Sequence, residues 1–230
     1  MANSRKYLFG GPHPWSQQDW TSQDDRVRGG SSISHLTLSS DKSSAAFTGT
    51  LDITTLGGAG FASQRTTLDK SWDLSGYDGL ELDVDTAKSD EKKYTLILKD
   101  AKGILPPRDD GRERSGLSWE VDFEPKHGKV CVKWEDLRPT YRGKEFRDVA
   151  PLNLKAVRRF SLMMRSFFGT QEGEFKLAVK SIAAWKDAED DGLEKNGGIF
   201  VETKERIDDD IDESWSIFED NSQPACCVIL

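Results

Sequence analysis

The densest group of side chains that could do chemistry lies between Trp20 and Ser32. It contains two adjacent aspartates, Asp24 and Asp25, followed by two arginines, a glycine pair and two serines. Carboxylates beside arginines can form a polar binding surface, and a carboxylate can serve as a general base. The same residue types also build a tight loop, because glycine allows positive φ and Asp and Ser side chains bond to backbone amides. The chemistry alone favours this structural role over a binding role. Ion pairs that would hold such a loop are available from either aspartate to Arg26, Arg28 or Arg65.

No motif of a common catalytic centre is present in the sequence. The chain contains no Walker A, HExxH, CxxC or GxSxG sequence. Gly58 to Ser63 resembles a dinucleotide-binding loop, but it leads into a predicted strand, whereas such a loop leads into a helix. A run that begins at Asp187 is similar to an EF-hand loop, but it has Gly198 where calcium binding needs a glutamate. The sequence therefore predicts no metal, no cofactor and no enzymatic activity. A hydrolase that uses one of the adjacent aspartates is an alternative without a partner base or metal cluster to support it.

A two-residue hydrophobic period dominates the chain up to about residue 186. In Leu80 to Asp85, three apolar side chains alternate with three carboxylates, which is typical of a strand with one buried face. Clusters of Gly, Pro, Asp and Ser separate further runs of this kind. Many short strands with such separators predict an all-β sandwich or barrel. The runs that predict strands are 33–38, 47–53, 61–66, 80–85, 94–98, 119–123, 130–134, 160–164 and 175–182.

Composition limits the classes of function. The chain has 230 residues, a net charge of −8 and a pI near 5.0. Its basic residues are scattered among acidic ones, and the basic stripe of a nucleic-acid-binding surface is missing. No apolar run approaches the roughly 18 residues of a membrane-spanning helix. A soluble domain that binds proteins or small ligands is therefore expected, without a nucleic-acid partner.

The character of the chain changes after Trp185. Residues 187–230 are rich in acidic residues and glycine, with only sparse apolar side chains, which is typical of a disordered segment. We therefore predict one domain over residues 1–186 and a largely disordered acidic tail over residues 187–230. Cys131 lies in an alternating apolar run and is expected to be a buried, reduced thiol.

Several stretches, in order along the chain, resemble the complex I intermediate-associated protein 30 family of NADH:ubiquinone oxidoreductase assembly factors. The block from Trp20 to Ser32 resembles the family signature. Gly58 to Arg65 resembles its glycine–phenylalanine–serine–arginine strand, and Asp73 to Leu80 is similar to its Leu-Ser-x-Tyr-Asp-Gly-Leu turn. Leu137 to Gly143 and Phe175 to Leu177 also fall in the expected places. The resemblance covers about residues 8 to 186, which is the whole predicted domain.

This resemblance implies a galactose-binding-like β-sandwich with jelly-roll topology. It also implies a non-catalytic, chaperone-like assembly factor that binds unfolded or partly assembled protein subunits of complex I in mitochondria. No catalytic residues carry over from the family. The residues that match polar positions of the signature are candidates for a binding surface or for a structural role. They are Asp24, Asp25, Arg26, Gly29, Gly30, Ser31 and Arg65.

The last four residues of the sequence suggest lipid modification. Cys227 to Leu230 form a CaaX-like box, and its final leucine favours geranylgeranylation. One prenyl chain anchors weakly, and Cys226 could supply a palmitoyl group as a second signal. Prenylation takes place in the cytosol, and the segment from Met1 to Pro14 has no convincing transit peptide. The alternative function is therefore a prenylated paralogue at the cytosolic face of membranes, which acts as a carbohydrate or small-ligand binding module.

Overall fold

The computed structural model describes residues 4–67, 69–109, 111 and 113–187. Over these residues the chain forms β-strands and short 3-10 turns, and it contains no α-helix. None of its helical segments is long and apolar enough to cross a membrane. The strands are β1 (Ser4–Gly10), β2 (Trp20–Ser22), β3 (Ile33–Leu38), β4 (Ala45–Leu51), β5 (Phe61–Thr66), β6 (Gly79–Val84), β7 (Tyr94–Asp100), β8 (Ser118–Phe123), β9 (Lys129–Lys133), β10 (Arg138–Tyr141), β11 (Lys144–Glu145), β12 (Val157–Arg165) and β13 (Gly173–Lys186).

The first of two antiparallel sheets is organised around β13. Its strand order is β3-β4-β13-β6-β9, and β1 also pairs with β13. The first half of β13, from Gly173 to Val179, pairs with β4. The second half pairs with β6 on one side and with β1 on the other, where Arg5 lies opposite Trp185. The longest strand therefore joins the beginning of the chain to the end of the domain.

The second sheet has the order β11-β10-β8-β7-β12-β5-β2, with β7 and β12 near its centre. All of its strand pairs are antiparallel. Successive side chains of a strand point to opposite faces. On β7, Tyr94, Leu96 and Leu98 are therefore buried together in the core, whereas Lys99 faces away from it.

The core lies between the two sheets and is rich in aromatic rings. Phe9 packs edge-on against Trp20 and Phe160, with ring centroids 5.0 and 5.8 Å apart. Phe47 and Phe175 form a second group, with their centroids 4.9 Å apart. Burial of such large apolar side chains is the main favourable term in folding. With one face of each strand committed to the core, the outer face of the second sheet is left for polar side chains.

The predicted all-β sandwich is confirmed. The boundary near residue 186 stays a prediction, as does the acidic tail, of which all but Asp187 lies outside the described residues. One expectation is wrong. Cys131 is buried in β9, but it is disulfide-bonded rather than reduced, and no second cysteine occurs among the described residues.

Candidate functional site

Asp24 and Asp25 form a buried clamp between the β2–β3 connection and β5. Asp24 accepts hydrogen bonds from Ser34 N (3.1 Å), Ser34 Oγ (2.6 Å) and Ser63 N (2.9 Å). Asp25 accepts from Ser32 N (3.0 Å), Ser32 Oγ (2.6 Å) and, at the start of β5, Phe61 N (3.1 Å). Hydrogen bonds to a charged carboxylate are the stronger kind. The two carboxylates of the clamp therefore hold the block from Trp20 to Ser32 against β3 and β5.

The expected ion pairs between these aspartates and arginines are not the bonds that hold the loop. Both carboxylates bond to serines and backbone amides, as described above. Arg65 instead forms an ion pair with Glu113, which lies in the long connection between β7 and β8. Arg26 and Arg28 are exposed and have no ion pair within the described part of the chain.

The glycine pair of the block serves the clamp. Gly29 adopts φ +82° and ends the 3-10 turn Asp25–Arg28, a left-handed conformation that favours glycine. A Cβ atom at Gly30 would lie 2.4 Å from the Asp25 carboxyl carbon, so no larger residue fits without displacing the carboxylate. Ser31 is exposed, and its hydroxyl lies 3.0 Å from that of Thr55. Of the sequence-predicted site residues, Arg26, Gly29 and Ser31 are exposed, Arg65 is partly exposed, and Asp24 and Asp25 are buried.

A groove on the outer face of the second sheet is the strongest candidate for a binding surface. Its central cavity has a volume of about 590 Å³. Its floor is formed by outward-facing side chains of the central strands, and its walls are loops that follow β4, β7, β10 and β12. Two adjoining cavities share Arg142 and Ser115 with it. We call this combined surface the basic groove. Among the described residues, its charged lining consists of Arg26, Arg28, Arg65, Lys99, Arg108, Arg114, Arg142, Arg159 and Arg165, with Asp24, Asp109, Glu113, Glu120 and Asp122.

An ion-pair network centred on Glu113 crosses the groove floor. Arg159 donates two hydrogen bonds to the Glu113 carboxylate, at 2.9 and 3.0 Å, and Arg65 pairs with the same group. Burial acts to raise the pKa of Glu113, but the bonds from Arg65 and Arg159 outweigh it and lower the pKa to about 2. Burial lowers the pKa of the neighbouring Lys99, and the charge of Arg159 adds to this effect. The carboxylate is therefore fixed in its charged state and is poorly suited to accept a proton in catalysis.

A second group of ion pairs lies nearer to β8. Arg165 bonds to Glu120 at 2.9 Å and to Asp122 at 2.6 Å. The Arg165 guanidinium also lies over the ring of Phe167, 4.8 Å from its centroid. No group of three or more His, Cys, Asp or Glu residues in the described segments is placed to hold a metal ion. The side chains of the groove floor are therefore suited to form ion pairs and to recognise a partner.

The rim of the groove combines unpaired arginines with exposed apolar side chains. Five exposed arginines on it have no ion pair within the described segments: Arg26, Arg28, Arg108, Arg114 and Arg142. Seven large hydrophobic residues of the described chain are exposed, and four of them line the groove, so the exposed apolar surface is concentrated here. These four are Val27, Leu105, Tyr141 and Phe168.

The sequence did not point to most of this surface. Arg65 and Arg26 were predicted site residues and do line the groove, whereas Lys99, Glu113 and Arg159 were not identified. They come from separate strands and a loop, and no spacing along the chain connects them. Their signal was the long connection from Asp100 to Ser118, together with charged residues at the outward positions of otherwise apolar strands.

Comparison with known proteins identifies the family. The sequence profile of "Complex I intermediate-associated protein 30 (CIA30)" matches residues 7–179. The chain belongs to the CIA30 family. Membership connects the chain with complex I assembly, and it confirms the resemblance found in the sequence. A relative from Schizosaccharomyces pombe, "Uncharacterized protein C9E9.15", is 47% identical over 185 residues, which cover 77% of this chain and 82% of the relative.

Solved structures of a carbohydrate-binding module share the fold. The family 11 module of the cellulase Lic26A-Cel5E from Clostridium thermocellum is 12% identical, with a TM-score of 0.51. The same type of module in complex with a mixed-linked tetrasaccharide is 14% identical, with a TM-score of 0.54. The matches cover 80% of this chain and 96% and 97% of the modules. At such low identity the likeness shows the fold alone, and it confirms the galactose-binding-like sandwich.

Proposed function

We propose that this protein is a non-catalytic assembly factor that holds segments of unfolded or partly assembled protein subunits in the basic groove. One observation carries the proposal: most of the exposed large hydrophobic side chains lie on the same surface as five unpaired arginines. Arginine and aromatic residues are enriched in protein interfaces, where they provide both apolar area and directional hydrogen bonds. Membership in the family supports subunits or intermediates of complex I as the class of partner and mitochondria as the proposed location.

The ion pairs of the floor suit the groove to this task. Arg159 is nearly buried, with a side chain 5% exposed, and both of its terminal nitrogens bond to Glu113. A floor whose charges are already paired does not need a partner to neutralise it, so binding strength depends on the rim. Rim contacts are solvent-exposed and individually weak. Such a surface releases its client, as an assembly factor must.

The test is a charge reversal on the rim. Arg114→Glu with Arg142→Glu changes two exposed side chains and leaves the core and the clamp untouched. We expect capture of newly made complex I subunits to weaken roughly tenfold, with unchanged thermal stability. The matched control is Lys155→Glu with Lys176→Glu, two exposed lysines that do not line the groove. Equal capture by both variants, or normal complex I levels in cells that lack the protein, would contradict the proposal.

A second candidate is a carbohydrate or small-ligand binding module. Three phenylalanines, Phe61, Phe167 and Phe168, line the groove, and the Phe168 ring is fully exposed. The structural relative from C. thermocellum was solved in complex with a tetrasaccharide. Exposed aromatic rings on a groove are suitable platforms for sugars. A glycan panel tests this function, and no binding at millimolar ligand would end it.

We also propose the lipid anchor as a matter separate from the groove. Prenylation of Cys227 would place the protein at the cytosolic face of membranes, and Cys226 is the candidate for a palmitoyl group. Both modifications need a free thiol, so a chain that carries both lipids cannot also use either cysteine as the disulfide partner of Cys131. Localisation of the intact chain beside a Cys227→Ser variant tests it. A shift from membranes to cytosol supports the anchor, whereas an unchanged mitochondrial signal in both supports the usual location of the family. Because Cys131 is disulfide-bonded, free thiols should be counted on the same samples before and after reduction.

A further inference from the structure

The negative charge of this protein is concentrated at one end of the chain. Residues 188–230 contain 13 acidic and 3 basic side chains. Residues 1–187 contain 27 acidic and 29 basic side chains. The folded domain is therefore slightly positive, and the net charge of −8 comes entirely from the segment that follows it.

The positive charge of the domain is in turn concentrated at the basic groove. Nine basic and five acidic side chains line it among the described residues. One of those acids, Asp24, points away into the clamp, and its oxygens bond to Ser34 and Ser63. On the rim, Arg108, Arg114 and Arg142 surround a single cavity together with the exposed side chains of Leu105 and Tyr141. This cavity fits an acidic segment that also carries apolar side chains.

We propose that residues 207–218 of the same chain are an occupant of the basic groove. This segment begins at Ile207 and contains Asp208 to Asp210, Asp212 and Glu213, followed by Trp215, Ile217 and Phe218. Its carboxylates match the unpaired guanidinium groups of the rim, which can bind carboxylates through two parallel hydrogen bonds. Its aromatic side chains match the exposed apolar surface and can stack on the arginines.

The connection is long enough for the segment to reach the groove. The last described residue, Asp187, follows β13 in the first sheet, whereas the groove lies on the outer face of the second. Twenty residues separate Asp187 from Asp208, and they span up to about 70 Å when extended. A domain of this size has a radius of gyration of roughly 16 Å, so the connection can pass around its edge. Tethering gives the segment an effective concentration in the millimolar range, which compensates for weak rim contacts.

This proposal rests on the proposed function in one respect. If clients bind in the basic groove, the tethered segment competes with them and the free groove is available for only part of the time. A client then displaces the segment, and the groove stays covered when no client is present. The acidic charge of the segment, which sets how well it competes with clients, therefore regulates client capture.

Photo-cross-linking of the full chain tests the position of the segment. A benzophenone side chain at position 215, in place of Trp215, should cross-link to peptides that contain Arg114 or Tyr141 to Gly143. The yield should fall several-fold from 50 to 500 mM salt, because the interaction is ionic. The same probe in place of Phe200, outside the proposed segment, is the control. Cross-links that spread equally from both positions, that map to the first sheet, or that join two chains would overturn the proposal.

A charge exchange provides the second test. Asp208→Lys, Asp209→Lys and Asp210→Lys together should abolish the position-215 cross-links, and Arg114→Glu with Arg142→Glu in the same chain should restore them. Such a rescue cannot arise from misfolding. If the combined variant gives no cross-links, although the aspartate variant and the arginine variant each fold, the proposal is overturned.

Client capture, measured on the same proteins, distinguishes this proposal from the proposed function. Neutral substitutions Asp208→Asn, Asp209→Asn and Asp210→Asn should raise capture several-fold. Cross-links absent from the groove while rim variants still lose capture would overturn the tethered segment and leave the proposed function intact. Cross-links that are present in the groove, while the rim variants capture clients normally, would support the tethered segment and contradict the proposed function.

Discussion

Replacement of Asp25 by alanine should destabilise the protein through two orphaned backbone amides. The buried carboxylate accepts from Ser32 N, Ser32 Oγ and Phe61 N. The Ser32 hydroxyl can turn to the Asp52 carbonyl oxygen, to which it already lies at 3.3 Å. The amides of Ser32 and Phe61 have no such alternative. Each unsatisfied buried donor costs about 1–3 kcal/mol, so the expected loss in the free energy of unfolding is about 4 kcal/mol.

Thermal and urea unfolding measure this loss. For a domain of this size, about 4 kcal/mol corresponds to a decrease in Tm of roughly 8–16 °C. Asp25→Asn keeps one acceptor oxygen and should give an intermediate decrease. Asp41→Ala is the matched control, because Asp41 also bonds to serines, Ser39 and Ser43, but in an exposed turn. A loss below about 1 kcal/mol for Asp25→Ala, or equal losses at both sites, would refute the clamp.

Three further predictions concern the clamp, the groove floor and the rim. Gly30→Ala should lower the Tm nearly as much as Asp25→Ala, because its Cβ would lie 2.4 Å from the Asp25 carboxyl carbon; an unchanged Tm would show that the loop moves freely. The pKa of Glu113 is lowered from 4.5 to about 2, so its stabilising contribution is present above pH 4.5 and lost as the pH falls towards 2. Glu113→Gln should therefore reduce the decrease in Tm measured between pH 5 and pH 2.5, and identical pH profiles would contradict the network. Phe168→Ala removes a fully exposed ring and should leave the Tm unchanged while weakening client capture in a pull-down; a lower Tm would mean that the ring packs against the domain.

The sequence predicted the strands whose two faces differ. The runs at 33–38 and 61–66 match β3 and β5 in full, because their buried and exposed side chains alternate or their ends are marked by glycine. β1 was not predicted, since Tyr7, Leu8 and Phe9 form a continuous apolar run, and a bulge between Tyr7 and Phe9 breaks the alternation. β10 and β11 were missed because they are short: β11 is a two-residue edge strand, and β10 beside it has four residues, one of them a proline.

The site was only partly predictable for a different physical reason. Asp24 and Asp25 were recognised, and the structure places both carboxylates in hydrogen bonds to serines and backbone amides. Their bonding partners were not predictable, because Ser34 and Ser63 lie ten or more residues away and reach the carboxylates through sheet pairing. The groove depends even more on topology, since Lys99, Glu113 and Arg159 meet only when β7 and β12 pair.

The pairing of β1 with β13 determines the order in which the domain can fold. Arg5 and Trp185 are among the first and last residues of the described fold, and they are directly opposite each other. During synthesis the first strand therefore waits for its neighbour until nearly the whole domain has been made. Contacts between such distant parts of a chain form late, because a long loop must close first. Until then β1 is an unpaired strand edge with adjacent apolar side chains, which makes the nascent chain itself a candidate client for chaperones.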